Sequence, residues 1–323
     1  MEYKFLGSTG IRVSQLCMGT MTFGNEADKA ESRAMYNRCR DAGVNFFDCA
    51  NVYSQGKAEE ILGDLIAGAR DELVITSKVW GQMGTDINAK GLSRRNIMSC
   101  VEASLERLKT SYIDIYFMHQ FDPHTPLEET LGALDDLVTQ GKIRYIGASN
   151  FAAWQVAKAL GVSALHNWAS LKCIQPMYNI VKRQAEVEIL PLALSENIGV
   201  VSYNPLGGGL LTGKYGHRIE SSQNRLGKVD MYKKRYGDDW MLDASIQYEA
   251  FARANGINPV SLAVAWVAAH PGVTAPILGA RNVRQLEDSL RSLEIDMTRD
   301  LYQKIASLTP TPAPATDRTE DFR

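Results

Sequence analysis

The chain lacks most of the features that assign a sequence to a narrow class on sight. No apolar run approaches the roughly 18 to 20 residues needed to cross a bilayer, and the opening "MEYKFLGSTG" has no apolar stretch of the kind a secretory leader needs. These two absences predict a cytoplasmic protein without membrane contact. An excess of one charge sign is missing too: 35 Lys and Arg against 37 Asp and Glu leave a net charge of -2, with the signs mixed along the chain. Nucleic acid, which calls for a concentrated basic surface, is not an expected partner. The five cysteines, Cys17, Cys39, Cys49, Cys100 and Cys173, are odd in number and show no C-x-x-C spacing. They predict reduced, buried thiols rather than disulfides or zinc, and no metal site is expected. The fingerprint G-x-G-x-x-G is also absent, which argues against an open-sheet nucleotide-binding domain. No Pro/Ser/Gly-rich linker or strong repeat divides the 323 residues, so one domain over 1–323 is predicted.

What the chain does contain is alternation. After a short hairpin through "YKFLGSTGIRVSQ" come eight candidate strands: "QLCMGT", "NFFDCA", "LVITSKVW", "YIDIYFMHQ", "IRYIGASN", "CIQPMYN", "VVSYNPL" and "TAPILGA". Between them lie segments of helical period such as "KAEEILGDLIAGAR" and "PLEETLGALDDLVTQGK". Strand-helix alternation implies right-handed crossovers and a parallel sheet covered on both faces, and eight units favour a closed (β/α)8 TIM barrel, with a doubly wound open sheet as the alternative. "DAGVNFFD" and "TQGKIRYIG" place a Gly at each helix-to-strand joint, as a left-handed C-terminal cap requires, and Pro126 is placed in the first turn of the fourth helix. Two stretches escape the pattern. The polar segment 213–240 predicts an extended rim loop that acts as a flap, and the Thr/Pro-rich tail 308–323 is expected to be mobile.

In a parallel barrel the C-terminal rim carries function. Here the strands end on Gly19-Thr20, Asp48, Lys78, His119, Ser149-Asn150, Gln175, Tyr203-Asn204 and Gly279. A lone buried Lys or Asp is costly, but Asp48 and Lys78 fall on neighbouring strands where they can pair. Tyr53, five residues after Asp48, has a phenol that is a reluctant donor at neutral pH. A nearby ammonium is expected to lower its pKa, and His119 on the next strand is expected to orient a substrate oxygen. Taken singly, these residues read as a structural ion pair, a packed aromatic and a core histidine. Together they suit protonation of an alkoxide formed from a carbonyl.

Several motifs then occur in order along nearly the whole chain: "LGSTGIRVSQLCMGTMTFG", "FFDCANVYSQGKAEEILG", "VITSKVW", "DIYFMHQFDPHTPLEETLGALDDLVTQGKIRYIGASNF", "IQPMYN", "YNPLGGGLLTGKY" and "PILGARNVRQLEDSL". Through them the sequence resembles the aldo-keto reductases, in particular the branch of bacterial and potassium-channel-β-subunit-like members. The resemblance implies a barrel enzyme that reduces aldehydes or ketones with NADPH. Tyr53 matches the family's proton donor, Lys78 the cation beside it, Asp48 the carboxylate that holds the lysine, and His119 the group that orients the carbonyl.

For the cofactor, the resemblance implies Ser149, Asn150 and Gln175 at the nicotinamide carboxamide and Tyr203 stacked on the ring. It carries Leu206, Gly208 and Leu210 to the pyrophosphate, Arg281 to the extra 2′-phosphate of NADP, and Gln285, Asp288 and Ser289 to the adenosine end. Gly19, Thr20, Met21, Asp48, Asn204, Pro205, Lys214 and Gly279 are expected among the cofactor-binding residues as well. Asp288 departs from the commoner Glu or Asn. "GGLLTGK" fits G-x-x-x-x-G-K but continues into Tyr215 where a phosphate loop needs Ser or Thr, so nucleoside triphosphate binding is not expected. Phe23, Trp80 and Trp240 are candidate walls of the carbonyl pocket. A second reading is an NADP-binding regulatory subunit with little turnover, and a third is a barrel enzyme without nicotinamide. The sequence leaves the oligomeric state open.

Overall fold

A computed structural model describes residues 1–214 and 230–316, together with Arg318 and Glu320. Residues 215–229 of the expected flap, and part of the tail from 308, lie outside the described residues. The chain opens with an antiparallel hairpin of β1 (Tyr3–Phe5) and β2 (Arg12–Ser14). Eight strands follow: β3 (Cys17–Gly19), β4 (Phe46–Asp48), β5 (Val74–Val79), β6 (Ile113–Met118), β7 (Ile143–Ser149), β8 (Leu171–Gln175), β9 (Gly199–Ser202) and β10 (Ala275–Leu278). They pair in parallel and close into a barrel through β10 and β3. Six lie within the runs read from the sequence, whereas β8 begins two residues and β9 one residue before theirs, and the open-sheet alternative is excluded.

Side-chain alternation along each strand divides the apolar residues between two cores. In β5, Val74, Thr76 and Lys78 share one face and Ile75, Ser77 and Val79 the other. The interior is filled by Cys17, Phe46, Val74, Ile115, Phe117, Cys173, Val201, Ala275 and Ile277, which pack with Leu6 and Val13 of the hairpin. The hairpin thus forms the floor. Its turn glycine, Gly7, has φ +52, and a Cβ there would lie 2.4 Å from the Gly199 nitrogen, so no larger residue fits without moving β9.

The outer layer comprises α1 (Lys29–Asp41), α2 (Lys57–Ile66), α3 (Arg94–Leu108), α4 (Leu127–Thr139), α5 (Ala153–His166), α6 (Ile189–Ser195), α7 (Asp230–Tyr236), α8 (Asp239–Ala254), α9 (Pro259–Ala268), α10 (Val283–Leu290) and α11 (Arg299–Ala306). Caps set their entry points: Asp28 accepts from the Glu31 amide at 2.8 Å, and Asn282 accepts from Gln285 at 3.0 Å. Gly43 and Gly141 take φ +85 and +71 at the exits of α1 and α4, as the sequence predicts. Pro126 is the N-cap of α4 rather than a residue of its first turn; its ψ of 139° is extended, so the helix begins at Leu127. The five cysteines are buried and free. No helix among the described residues is long and apolar enough to cross a membrane.

Candidate active site

The rim of β4 and β5 holds a closed electrostatic unit. Asp48 faces Thr76 in the strand register, and Lys78 lies two residues further along the same interior face. The Lys78 ammonium donates to both Asp48 oxygens at 2.7 Å and to the Cys49 carbonyl at 2.8 Å. Asp48 also accepts from Thr76 Oγ1 and Gln175 Nε2, each at 2.8 Å. Both charges are essentially removed from water, with side-chain exposures of 0% and 3%. Such a pair persists only because every charged atom is partnered. Burial pushes the ammonium down, but attraction to Asp48 and the hydrogen bonds to it prevail and hold it above its ordinary value.

Tyr53 Oη lies 3.3 Å from that ammonium. Burial raises the phenol, Lys78 opposes it, and the balance leaves it pushed up to about 12. This corrects the expectation that the ammonium would lower it. Desolvation of the phenolate outweighs the lysine because Asp48, at 2.7 Å from the same lysine, offsets much of the cation's field. The phenol is therefore a firmly protonated donor whose conjugate base still has a cation beside it.

The backbone around Tyr53 is unusual. Ser54, Gln55 and Gly56 take φ +50, +53 and +91 in succession. For two residues with side chains this left-handed geometry costs on the order of 1 to 2 kcal/mol each, so outside contacts must hold it. One is Ser54 Oγ donating to the Phe23 carbonyl at 2.7 Å. Phe23 itself is wholly buried in the outer core and is not a pocket wall.

His119 follows β6, and its ring meets that of Tyr53 edge-on, 6.1 Å between centroids. Burial, then the Lys78 charge, lower its pKa to about 3, so the imidazole is neutral across the working range. The unfolded chain takes up this proton below about 6.5 and the folded chain only near 3, so the folded state is progressively disfavoured as pH falls through that window. We expect His119 to contribute a loss of about 1 to 2 kcal/mol between pH 7 and 5. Urea midpoints of the wild type and His119→Gln at the two pH values test this: the variant should lose less, and equal losses would remove His119 as the cause.

The residues expected around the nicotinamide are brought together but are linked to one another. Ser149 Oγ donates to the Gln175 carbonyl at 2.9 Å, and Gln175 spends its amide N-H on Asp48. Asn150, at φ +57, donates to the His119 carbonyl at 2.9 Å and accepts from Tyr203 Oη at 2.6 Å, fixing the end of β9 against those of β6 and β7. Thr20 donates its hydroxyl to the Asp48 carbonyl at 2.9 Å, whereas Met21 is exposed at the rim. Beyond Asn204 and the buried Pro205, the loop after β9 carries Leu206, then Gly207, Gly208 and Gly209 at φ +57, +65 and +99. Gly208 lies under α7, where a Cβ would meet Tyr232 at 2.5 Å. Leu210 is buried and Lys214 is exposed at the edge of the described chain.

The last group sits apart, after β10. Gly279 borders open space, with nothing within 4 Å of a Cβ placed there. The Arg281 guanidinium pairs with Glu26 at 3.2 Å, and the Arg281 amide donates to Gln285. Asp288 accepts from Asn258, just before α9, at 3.1 Å, and Ser289 is buried. Aromatic side chains line the opposite side of the mouth. Lys90 lies 4.9 Å over Trp80, and Phe121 contacts Phe151 and the exposed Trp154. Trp240, at the start of α8, is 40% exposed.

Sequence reasoning missed Thr76, whose position two residues before Lys78 on the interior face was a usable signal. It also missed Asn179, which donates to the Asn204 carbonyl at 2.9 Å and to Tyr236 at 3.2 Å and so seats α7 on the glycine loop. No local pattern marks that contact.

The family model described as the aldo/keto reductase family matches residues 15–310. The chain is 35% identical to a Bacillus subtilis (strain 168) protein named as an uncharacterized oxidoreductase, YrpG, over 97% of each chain. It is 35% identical to a probable voltage-gated potassium channel subunit beta of Oryza sativa subsp. japonica over the full length of both, and 36% identical to one of Arabidopsis thaliana over 91% of this chain and 92% of that one. The chain belongs to the aldo/keto reductase family and is, at that level, an oxidoreductase.

Proposed function

We propose that the protein reduces aldehydes or ketones to alcohols with NADPH, Tyr53 giving the proton. The observation that carries this reading is the Tyr53 hydroxyl 3.3 Å from a lysine that is itself held by a buried carboxylate. An incoming carbonyl oxygen would lie between Tyr53 and the neutral imidazole of His119. As charge builds on that oxygen, the phenol transfers its proton, and the Lys78 ammonium stabilises the phenolate left behind.

A nicotinamide cofactor, when bound, supplies the hydride that no side chain can. The residues present fit it. Ser149, Asn150 and Gln175 form a rigid polar ledge at the barrel mouth, and Tyr203 offers a ring whose orientation Asn150 fixes. The left-handed glycines at 207–209 let backbone approach a pyrophosphate closely, and open space at Gly279 leads to Arg281 beside the start of α10.

Consumption of NADPH in the presence of a panel of aliphatic and aromatic aldehydes tests the reading. Steady turnover is expected, and its absence with every aldehyde, despite tight NADPH binding, would replace it. The likeness to proteins named as channel β subunits favours one second reading: a cofactor-binding regulatory subunit with little turnover, which that negative result would support. For the cofactor, Arg281→Ala should weaken NADPH roughly 10- to 100-fold, the loss of a charge-assisted phosphate contact, and leave NADH within about 2-fold. Fluorescence titration with the two nucleotides measures this, and an unchanged ratio would remove Arg281 from the phosphate site.

A further inference from the structure

Behind the β5 strand, on the face opposite Lys78, lies a second ion pair, buried at its carboxylate and part-exposed at its arginine, that the chemistry above does not use. Glu59 of α2 is wholly buried; its Oε2 accepts from Arg107 Nε of α3 at 2.7 Å, and its Oε1 accepts from the hydroxyl of Ser77. Ser77 immediately precedes Lys78 and is wholly buried itself. One carboxylate therefore joins α2, α3 and the strand that carries the lysine.

The same arginine also bears on the turn that carries Tyr53. Its side chain covers Gly56, where a Cβ would meet Cδ at 2.8 Å and Nε at 2.9 Å. Gly56 is the third of the successive left-handed residues after Tyr53, and α2 starts at the next residue. Arg107 is in turn held by its own backbone, because α2 packs so closely on α3 at Gly63 that a Cβ there would lie 2.5 Å from the Arg107 carbonyl oxygen.

We propose that Glu59 and Arg107 are positioning residues for the Tyr53–Lys78 pair: Arg107 holds the strained turn that carries the phenol, Glu59 holds the strand that carries the ammonium, and their mutual bond fixes the distance between the two. The effect of the pair rests on the reductase reading for turnover, but not for geometry.

The test uses the full-length protein as wild type, Glu59→Gln, Arg107→Met, Arg107→Lys and Gly56→Ala, each checked for folding by circular dichroism. A fluorinated tyrosine incorporated at position 53 reports the titration of that phenol by fluorine NMR whether or not the protein turns over a carbonyl. In Arg107→Met and Glu59→Gln the titration should move, because the phenol's distance from the ammonium changes. Rates per NADPH-binding site should show kcat lowered ~10-fold or more, the scale of a sub-ångström to 1 Å misplacement, with KM for the aldehyde within about 2-fold. Arg107→Lys should recover part of both. If Arg107→Met does not fold, Gly56→Ala, which keeps both charges and displaces the arginine from the turn, carries the same two readings. The proposal is overturned if the Tyr53 titration is unmoved in the folded variants, or if an active protein keeps its kcat in them. A wild type that turns over no aldehyde sinks the reductase reading alone and leaves the titration to decide this one.

Discussion

Tyr53→Phe should lower turnover of an aldehyde by ~10²- to 10⁴-fold, the usual worth of a positioned general acid, while NADPH affinity stays within about 3-fold. The asymmetry follows from where the hydroxyl acts. It stands 3.3 Å from the lysine at the barrel mouth, and with its pKa at about 12 it holds its proton until a strong base appears. An alkoxide is such a base; a ground-state carbonyl is not. In the proposed reaction the hydroxyl would contribute in the transition state and little before it, which is the signature of a kcat effect. Single-turnover absorbance at saturating NADPH, alongside a binding titration, measures both quantities. Retained turnover would mean that another group delivers the proton.

Lys78→Met should have the second large effect, and in two currencies. Removing the ammonium leaves Asp48 buried with only Thr76 and Gln175 as partners. Breaking a buried pair from one side typically costs about 3 to 5 kcal/mol, to be read from the shift in urea midpoint. Turnover should fall as well, since the phenolate loses its neighbouring cation. The double variant Lys78→Met, Asp48→Asn separates the two: stability should return in large part because no bare carboxylate remains, whereas turnover should not. Turnover that recovered along with stability would reduce the pair to a structural one.

The contrast between Asp48–Lys78 and Tyr53 shows how far the sequence could be read. The strands were legible because β-rich runs stand between segments of helical period, as expected of a parallel sheet covered on both faces, and "VITSKV" is indeed buried at all six positions. Asp48, Lys78 and His119 were legible only through their joint placement at the ends of three successive strands, since each alone has an ordinary structural reading. The direction in which the phenol shifts was not. It depends on how completely the mouth excludes water and on how far Asp48 cancels the lysine, and neither quantity is local in sequence. The Gln175 amide shows the same limit, since it reaches Asp48 from 127 positions away. Phe23 failed as a pocket wall for a simpler reason: an aromatic after a rim glycine can turn inward, and this one does. Glu59 sat in a helical pattern where a buried glutamate looks like any surface one.

The ring closure has a consequence for biosynthesis. Cys17 and Met18 pair with Ile277 and Leu278, so the two strands that seal the ring are about as far apart along the chain as any two in it. A polypeptide emerging from the ribosome can zip its early strands in order, yet it carries two unpaired sheet edges until residue 278 has cleared the exit tunnel. Those edges are the natural handhold for chaperones, and a prematurely terminated product would keep them for good.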